Sequence, residues 1–216
     1  MHIEPGVLDA AKIASANIAA VGTLGASAYG FIRRPADLVK TALAAVFFSV
    51  FMQVWHMQVG PSELHLIGAS AIYFTFGFLP TLFGFAIGLA LQGLLFEPQD
   101  LVHLGVNSLS LMVPLIAVHT AFGHRFFERD GAQTKWASVL KFDAAYYSGV
   151  VAMVGFWLAL GQEATPFQSW AIFALSYLPL TLVEPLFTLV VLKGLKRFEG
   201  AAPVRAFTVA PQLRLA

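Results

Sequence analysis

The chain has no cysteine, which excludes a disulfide framework, a thiolate metal site and a cysteine nucleophile. Charge is scarce too: Asp, Glu, Lys and Arg make up 12% of the residues, against roughly 25% in a soluble globular domain. The net balance is only +1, so no nucleic acid is expected as a partner. There is no GxxxxGKS/T phosphate loop to cradle a nucleotide. No Ser-His-Asp set or paired carboxylates fall on a shared face. The chain is therefore expected not to be an enzyme, and to need partner subunits for any ATP-driven work. No soluble domain and no strong internal repeat is visible.

What the chain does have is apolar bulk. Hydrophobic residues make up 58% of it, with 20 Phe, 18 Gly and a mean hydropathy of +0.74. This composition predicts an all-α, polytopic transmembrane helical bundle, because a spanning helix needs about 20 mostly apolar residues and must satisfy its own backbone. About seven spans are expected. They run over 7–32, 36–57, two pieces of 66–96, then 106–122, 136–160 and 170–192. The 66–96 stretch is too long for one crossing, and Pro80, with Gly77 and Gly84 nearby, predicts its break. Residues 1–197 form one transmembrane unit and 198–216 a basic tail.

The first nine residues carry no basic segment and no cleavage pattern follows them, so the mature chain is expected to begin at Met1. Placing the N-terminus outside puts every Lys and Arg except Lys12 on the cytoplasmic side. The outer links then hold Glu63, Glu97, Asp100 and Glu163, and the C-terminus lies inside. Met1, His2 and the "GPSELH" link fall on the same outer face.

That placement gives the chain's opening a chemistry. The α-amine of Met1, the amide nitrogen of His2 and the His2 imidazole make a tridentate chelate with one in-plane position open. A second imidazole fits there, and four planar nitrogens suit Ni(II) or Cu(II), whereas zinc prefers a tetrahedron. The alternative is that His2 is an ordinary solvated terminal residue. Ionisable or amide side chains inside spans are expensive and call for partners. Gln92 and Asn107, near outer span ends, either support the metal ligands or make ordinary interhelical hydrogen bonds. His56 and His103 are weaker alternative ligands, more simply solvated interfacial residues. His119 and His124 face the cytoplasmic half and receive no metal role. Glu184 is expected in a structural ion pair, and Asp143 as a solvated or paired group near Lys141. On the first span, Ala16 and Ala20, and Ala19, Gly22, Gly25 and Ala26, form small-residue faces that permit close helix approach.

Five segments carry a resemblance to a known family: "MHI" followed by an acid and Gly6, "GPSELHLIG", "LALQGLLF", "LVHLGVNSLSLMVP" and "LPLTLVEPLFTLVV". In this order, from residue 1 to about 190, they resemble the CbiM/NikM family. Its members are the substrate-specific components of energy-coupling factor (ECF) transporters for cobalt and nickel. The resemblance implies a seven-span fold with an added N-terminal helix. It implies metal ligands at Met1, His2 and His65, with Ni2+ or Co2+ as the transported substrate and no organic cofactor. The implied partners are an ECF transmembrane coupling subunit and two ATPase subunits, in the lipid bilayer of the cell (inner) membrane. A small-residue face of the first helix docks the coupling subunit in that family. The chain departs from the pattern at Glu4-Pro5, where the acid comes one position early. It departs again at Glu63, where a small residue is usual, and at Gly93, where Ala is common. Two other readings stand beside this one: a vitamin-type ECF substrate-binding component, and a non-transport membrane metal sensor or assembly protein. The affinity order would favour copper, so nickel or cobalt selectivity must arise elsewhere.

Overall fold

Helix α1 (Ala10–Arg33) starts where Asp9 caps it, the carboxylate accepting from the Lys12 backbone N–H at 3.0 Å. The structure, a computed structural model, describes residues 6–59, 62–128 and 133–215. After α1 come α2 (Asp37–Val54), a hairpin of β1 (His56–Val59) and β2 (Ser62–His65), and α3 (Ala69–Phe76). Then follow α4 (Phe78–Leu95), α5 (Leu104–Ala121), α6 (Trp136–Ala159), α7 (Phe167–Arg197) and the short α8 (Ala202–Phe207). Apart from the hairpin the bundle is helical, as the composition requires. Among the described residues, five helices are long and apolar enough to cross a membrane: α2, α4, α5 with its preceding turn, α6 and α7. Helix α1 has 24 residues, but Ala, Gly, Ser and Thr stand where the other spans carry Leu and Phe.

The third expected span differs from its prediction. Helix α3 has eight residues, about 12 Å of rise, against roughly 30 Å of hydrocarbon. The break falls at Gly77, whose φ of 89° only glycine adopts readily. Pro80 is not the breaker; it sits in the first turn of α4, where its missing N–H falls among groups that have no helical partner anyway. Every residue of α3 is buried, enclosed by α2, α4, α6 and α7.

Small residues set how closely the helices approach. A Cβ on Gly84 would meet Ala44 at 2.7 Å, and one on Gly88 would meet Phe48 at 2.5 Å, so α2 and α4 touch nearly backbone to backbone. Helices α1 and α5 meet likewise, with the Gly105 N–H donating to Asn17 Oδ1 at 3.0 Å. Ala16 and Ala20 are buried, whereas Ala19, Gly22, Gly25 and Ala26 are exposed. The first small-residue face is thus used within the bundle and the second is left open.

Two ends result. One collects the start of α1, the hairpin, the α4–α5 link and the α6–α7 link. Lys12, the one Lys or Arg there among the described residues, donates to the Leu160 carbonyl at the end of α6 at 2.8 Å. The other end carries Arg33, Arg34, Lys40, Arg125, Lys135 and Lys141, and the tail closes over it. There Val209 N–H donates to the Thr75 carbonyl at 2.8 Å, and Thr134 bridges to Leu215.

Candidate functional site

The hairpin builds the site. Its register pairs His56 with His65 and Gln58 with Glu63. Because strand side chains alternate between faces and opposed residues share one, His56, Glu63 and His65 project on the same side. The other face carries Leu64 and Val59, buried against the bundle. Leu66 N–H donates to the Trp55 carbonyl at 3.1 Å and closes the hairpin on the end of α2.

His65 is fully buried, at 0% exposure. Its Nδ1 lies 3.3 Å from the Met52 carbonyl of α2, and its Nε2 lies 3.0 Å from Glu63 Oε2. The other carboxylate oxygen, Oε1, is 2.6 Å from His56 Nδ1. Glu63 therefore bridges the two imidazoles, whose rings stack with centroids 5.7 Å apart. The carboxyl of Glu63 is held down at about 2, chiefly by its hydrogen bond from His65, against the opposing effect of burial. It stays ionised across any physiological pH. The two ring nitrogens of His65 thus face two acceptors, the Met52 carbonyl at Nδ1 and the Glu63 carboxylate at Nε2. A carbonyl on one ring nitrogen is the arrangement that orients an imidazole for a ligand on the other, and such a ligand would take the place of the proton shared with Glu63.

The α4–α5 link faces the hairpin. Glu97 has its carboxyl pushed up to about 7, first by burial, then by its hydrogen bond with Asp100 and the negative charge of Glu63. The neighbourhood of His65 is thus rich in carboxylates. Among the described residues, no group of three His, Asp or Glu side chains is arranged to enclose a metal ion.

The sequence candidates distribute as follows. Met1 and His2 lie outside the described residues. His65 and His56 come together on the hairpin. His103 is buried, at 0% exposure. This corrects its expected place in solvent: it ends the 3-10 turn Pro98–His103, which tucks under α5. Gln92 is buried in α4 and its Oε1 accepts from Ser49 of α2 at 3.4 Å, one turn before Met52. Asn107 is buried near the start of α5. Two expectations fail. Asp143 is fully buried two turns inside α6, not solvated beside Lys141, and Glu184 has no cationic partner among the described residues; both carboxylates face Ser70 of α3. Their pairing was hidden because the three residues lie far apart in sequence and only the break at Gly77 sets α3 between α6 and α7. Glu63 was missed as a site residue, although its spacing of two from His65 signals a shared strand face.

Residues 2–202 match the family CbiM, described as the cobalt uptake substrate-specific transmembrane region. A crystal structure of a transition metal transporter is similar in fold, with a TM-score of 0.69 and 18% sequence identity, covering 96% of this chain and 97% of that one. No curated protein matches the chain. The family match spans the hairpin, the broken α3–α4 pair and all five long apolar helices, and the chain belongs to the CbiM family of cobalt uptake substrate-specific transmembrane regions, a membrane component of metal transport.

Proposed function

We propose that the chain is the substrate-capturing component of an ECF importer for Ni2+ or Co2+ in the cell (inner) membrane. The metal binds at the hairpin end through the Met1 α-amine, the His2 amide and imidazole nitrogens, and His65 Nε2. The observation that carries this reading is His65 itself. It is a buried imidazole, oriented by the Met52 carbonyl and flanked by carboxylates, at the base of a hairpin beside the α4–α5 link. The hairpin end faces outside, an orientation supported by the accumulation of Lys and Arg at the opposite end. The chain is not an enzyme: ATP hydrolysis belongs to two ATPase subunits, linked to it through a transmembrane coupling subunit.

The test is calorimetric titration with Ni2+ and Co2+, paired with elemental analysis, on protein carrying its native N-terminus. Extending that terminus by one residue is expected to abolish binding, because the α-amine moves and the fused chelate rings are lost. Unchanged binding by the extended protein overturns the ligand set.

A further inference from the structure

Inside the bundle, at the first turn of α3, two carboxylates from different helices meet one serine. The Ser70 hydroxyl donates to Asp143 Oδ2 at 2.9 Å and lies 2.7 Å from Thr188 Oγ1. The Ser70 backbone N–H donates to Glu184 Oε1 at 3.0 Å, and the Tyr147 hydroxyl donates to Glu184 Oε2. Both acids are buried to within 2% of complete enclosure. Among the described residues, neither is paired with Lys, Arg or His.

The two acids are not equipped alike. Each Glu184 oxygen accepts a hydrogen bond, one of them from the N-terminus of α3, where the helix dipole favours negative charge. Asp143 has one oxygen on Ser70, while its Oδ1 is buried with no hydrogen-bond partner among the described residues. One turn along α6, the Tyr146 hydroxyl is also buried with no partner among them, within electrostatic reach of both acids. A negative charge on Asp143 would lack both a counter-ion and a second donor in a medium that cannot solvate it. The neutral acid carries no such penalty.

We propose that Asp143 is a proton-binding site inside the membrane: the bundle holds a proton on Asp143 while Glu184 keeps its charge on the end of α3. Ca2+ or Mg2+ fits the cluster poorly, because either needs six or more oxygen ligands and the Glu184 oxygens are already committed to N–H and O–H donors. The other titratable groups around the cluster are Tyr146 and Tyr147 on α6, Tyr177 on α7 and Tyr73 on α3, while α4 presents Phe85 to Tyr146. The proton has a mechanical consequence, which rests on the reading of His65 as a metal ligand. Ser70 follows His65 by five positions, across Gly68 with φ 67°. Loss of the proton would set two carboxylate charges against one hydroxyl, loosening the first turn of α3 and the hairpin that precedes it.

Infrared difference spectra of the purified protein in lipid nanodiscs, in H2O and D2O and from acid to alkaline pH, test the site without any metal. The wild type is expected to show the carbonyl stretch of a neutral carboxylic acid, shifted on deuteration and absent from Asp143→Asn. Ser70→Ala, which removes the donor to Oδ2, is expected to move that band and not erase it, and keeps the test decisive if Asp143→Asn does not fold. A wild type without the band, a band removed by Glu184→Gln and retained in Asp143→Asn, or a band abolished by adding Na+ or Ca2+ overturns the proposal. In Ni2+ titrations the ligand nitrogens gain affinity with pH in every variant, so the readout is the ratio of Asp143→Asn to wild-type affinity, which is expected to rise toward alkaline pH. A ratio that stays constant with pH overturns the link to the hairpin. A wild type that binds no Ni2+ counts against the metal reading alone, since the infrared result still decides the proton.

Discussion

Two histidine pairs sit at opposite ends of the bundle with nearly the same spacing. His56 and His65 have ring centroids 5.7 Å apart at the hairpin end, and His119 and His124 are 6.2 Å apart at the basic end. Their surroundings separate them. At the hairpin, Glu63 bridges the two rings, and Glu97 and Asp100 stand opposite. At the basic end, His119 stacks face to face on Phe78 at 3.9 Å, and its Nδ1 lies 2.7 Å from the Tyr73 hydroxyl. His124 is turned onto the His119 carbonyl at 2.9 Å. Both line a cavity of about 310 Å³ whose walls include Arg34 and Lys40, both paired with Asp37, and Glu128, 3.7 Å from His124 Nε2. A cation is drawn more strongly to the first environment, where among the described residues no Lys or Arg pairs with the carboxylates, than to the second, where Arg34 and Lys40 hold Asp37. Imidazole spacing therefore does not separate the two ends; the charged groups around it do.

The comparison can be broken most directly at His65. His65→Ala removes the proposed hairpin ligand and should weaken Ni2+ or Co2+ binding by about 100-fold, roughly 2.7 kcal/mol, with residual affinity left to the proposed terminal chelate. Titration of the variant with a native N-terminus measures this. An unchanged dissociation constant would remove the hairpin from the site.

A smaller loss is expected from Glu63→Gln, about tenfold, because the variant keeps the shape of the bridge and loses the negative charge 3.0 Å from His65 Nε2. Tighter binding in the same assay would mean that the carboxylate competes with the metal for that nitrogen.

Glu97 sharpens the contrast through pH. Its carboxyl is raised from 4.5 to about 7 in the folded chain, so the stability it contributes is fully present below 4.5 and is lost as pH rises through about 7. Thermal unfolding midpoints of the wild type should therefore decline over that window, and Glu97→Gln should flatten the decline. An identical slope in the variant would place the titration on another group.

The smallest effect on metal is expected at the other pair. His119→Ala should leave the dissociation constant within about twofold, since distant sites behave independently. The Tyr73 hydroxyl loses its partner, however, and stability should drop by about 1–3 kcal/mol. Parallel metal titration and thermal unfolding separate these two readouts, and lost metal binding with unchanged stability would reverse the assignment of the two ends.

Much of this was legible in the linear chain. The long apolar stretches predicted the helices, because hydropathy over about 20 residues is a local property that lipid reads directly. His65 stood out as an imidazole in a short polar link between two greasy segments. The third span did not follow: an apolar run looks the same whether it crosses the membrane or stops at half depth, and the left-handed backbone at Gly77 decided the matter. His103 looked solvated because it lies in a link, yet the turn of Pro98–His103 buries it.

By itself, the sequence determined the helical membrane class, the separation of charge between the two ends, and the chemistry on offer at each. These follow from composition and order, which need no knowledge of distant neighbours. Only the tertiary structure decided that Glu63 bridges His56 and His65, and that Asp143 and Glu184 meet at Ser70. Those contacts depend on strand register and on a helix that ends after eight residues. Both arise from packing among segments that are remote in the chain.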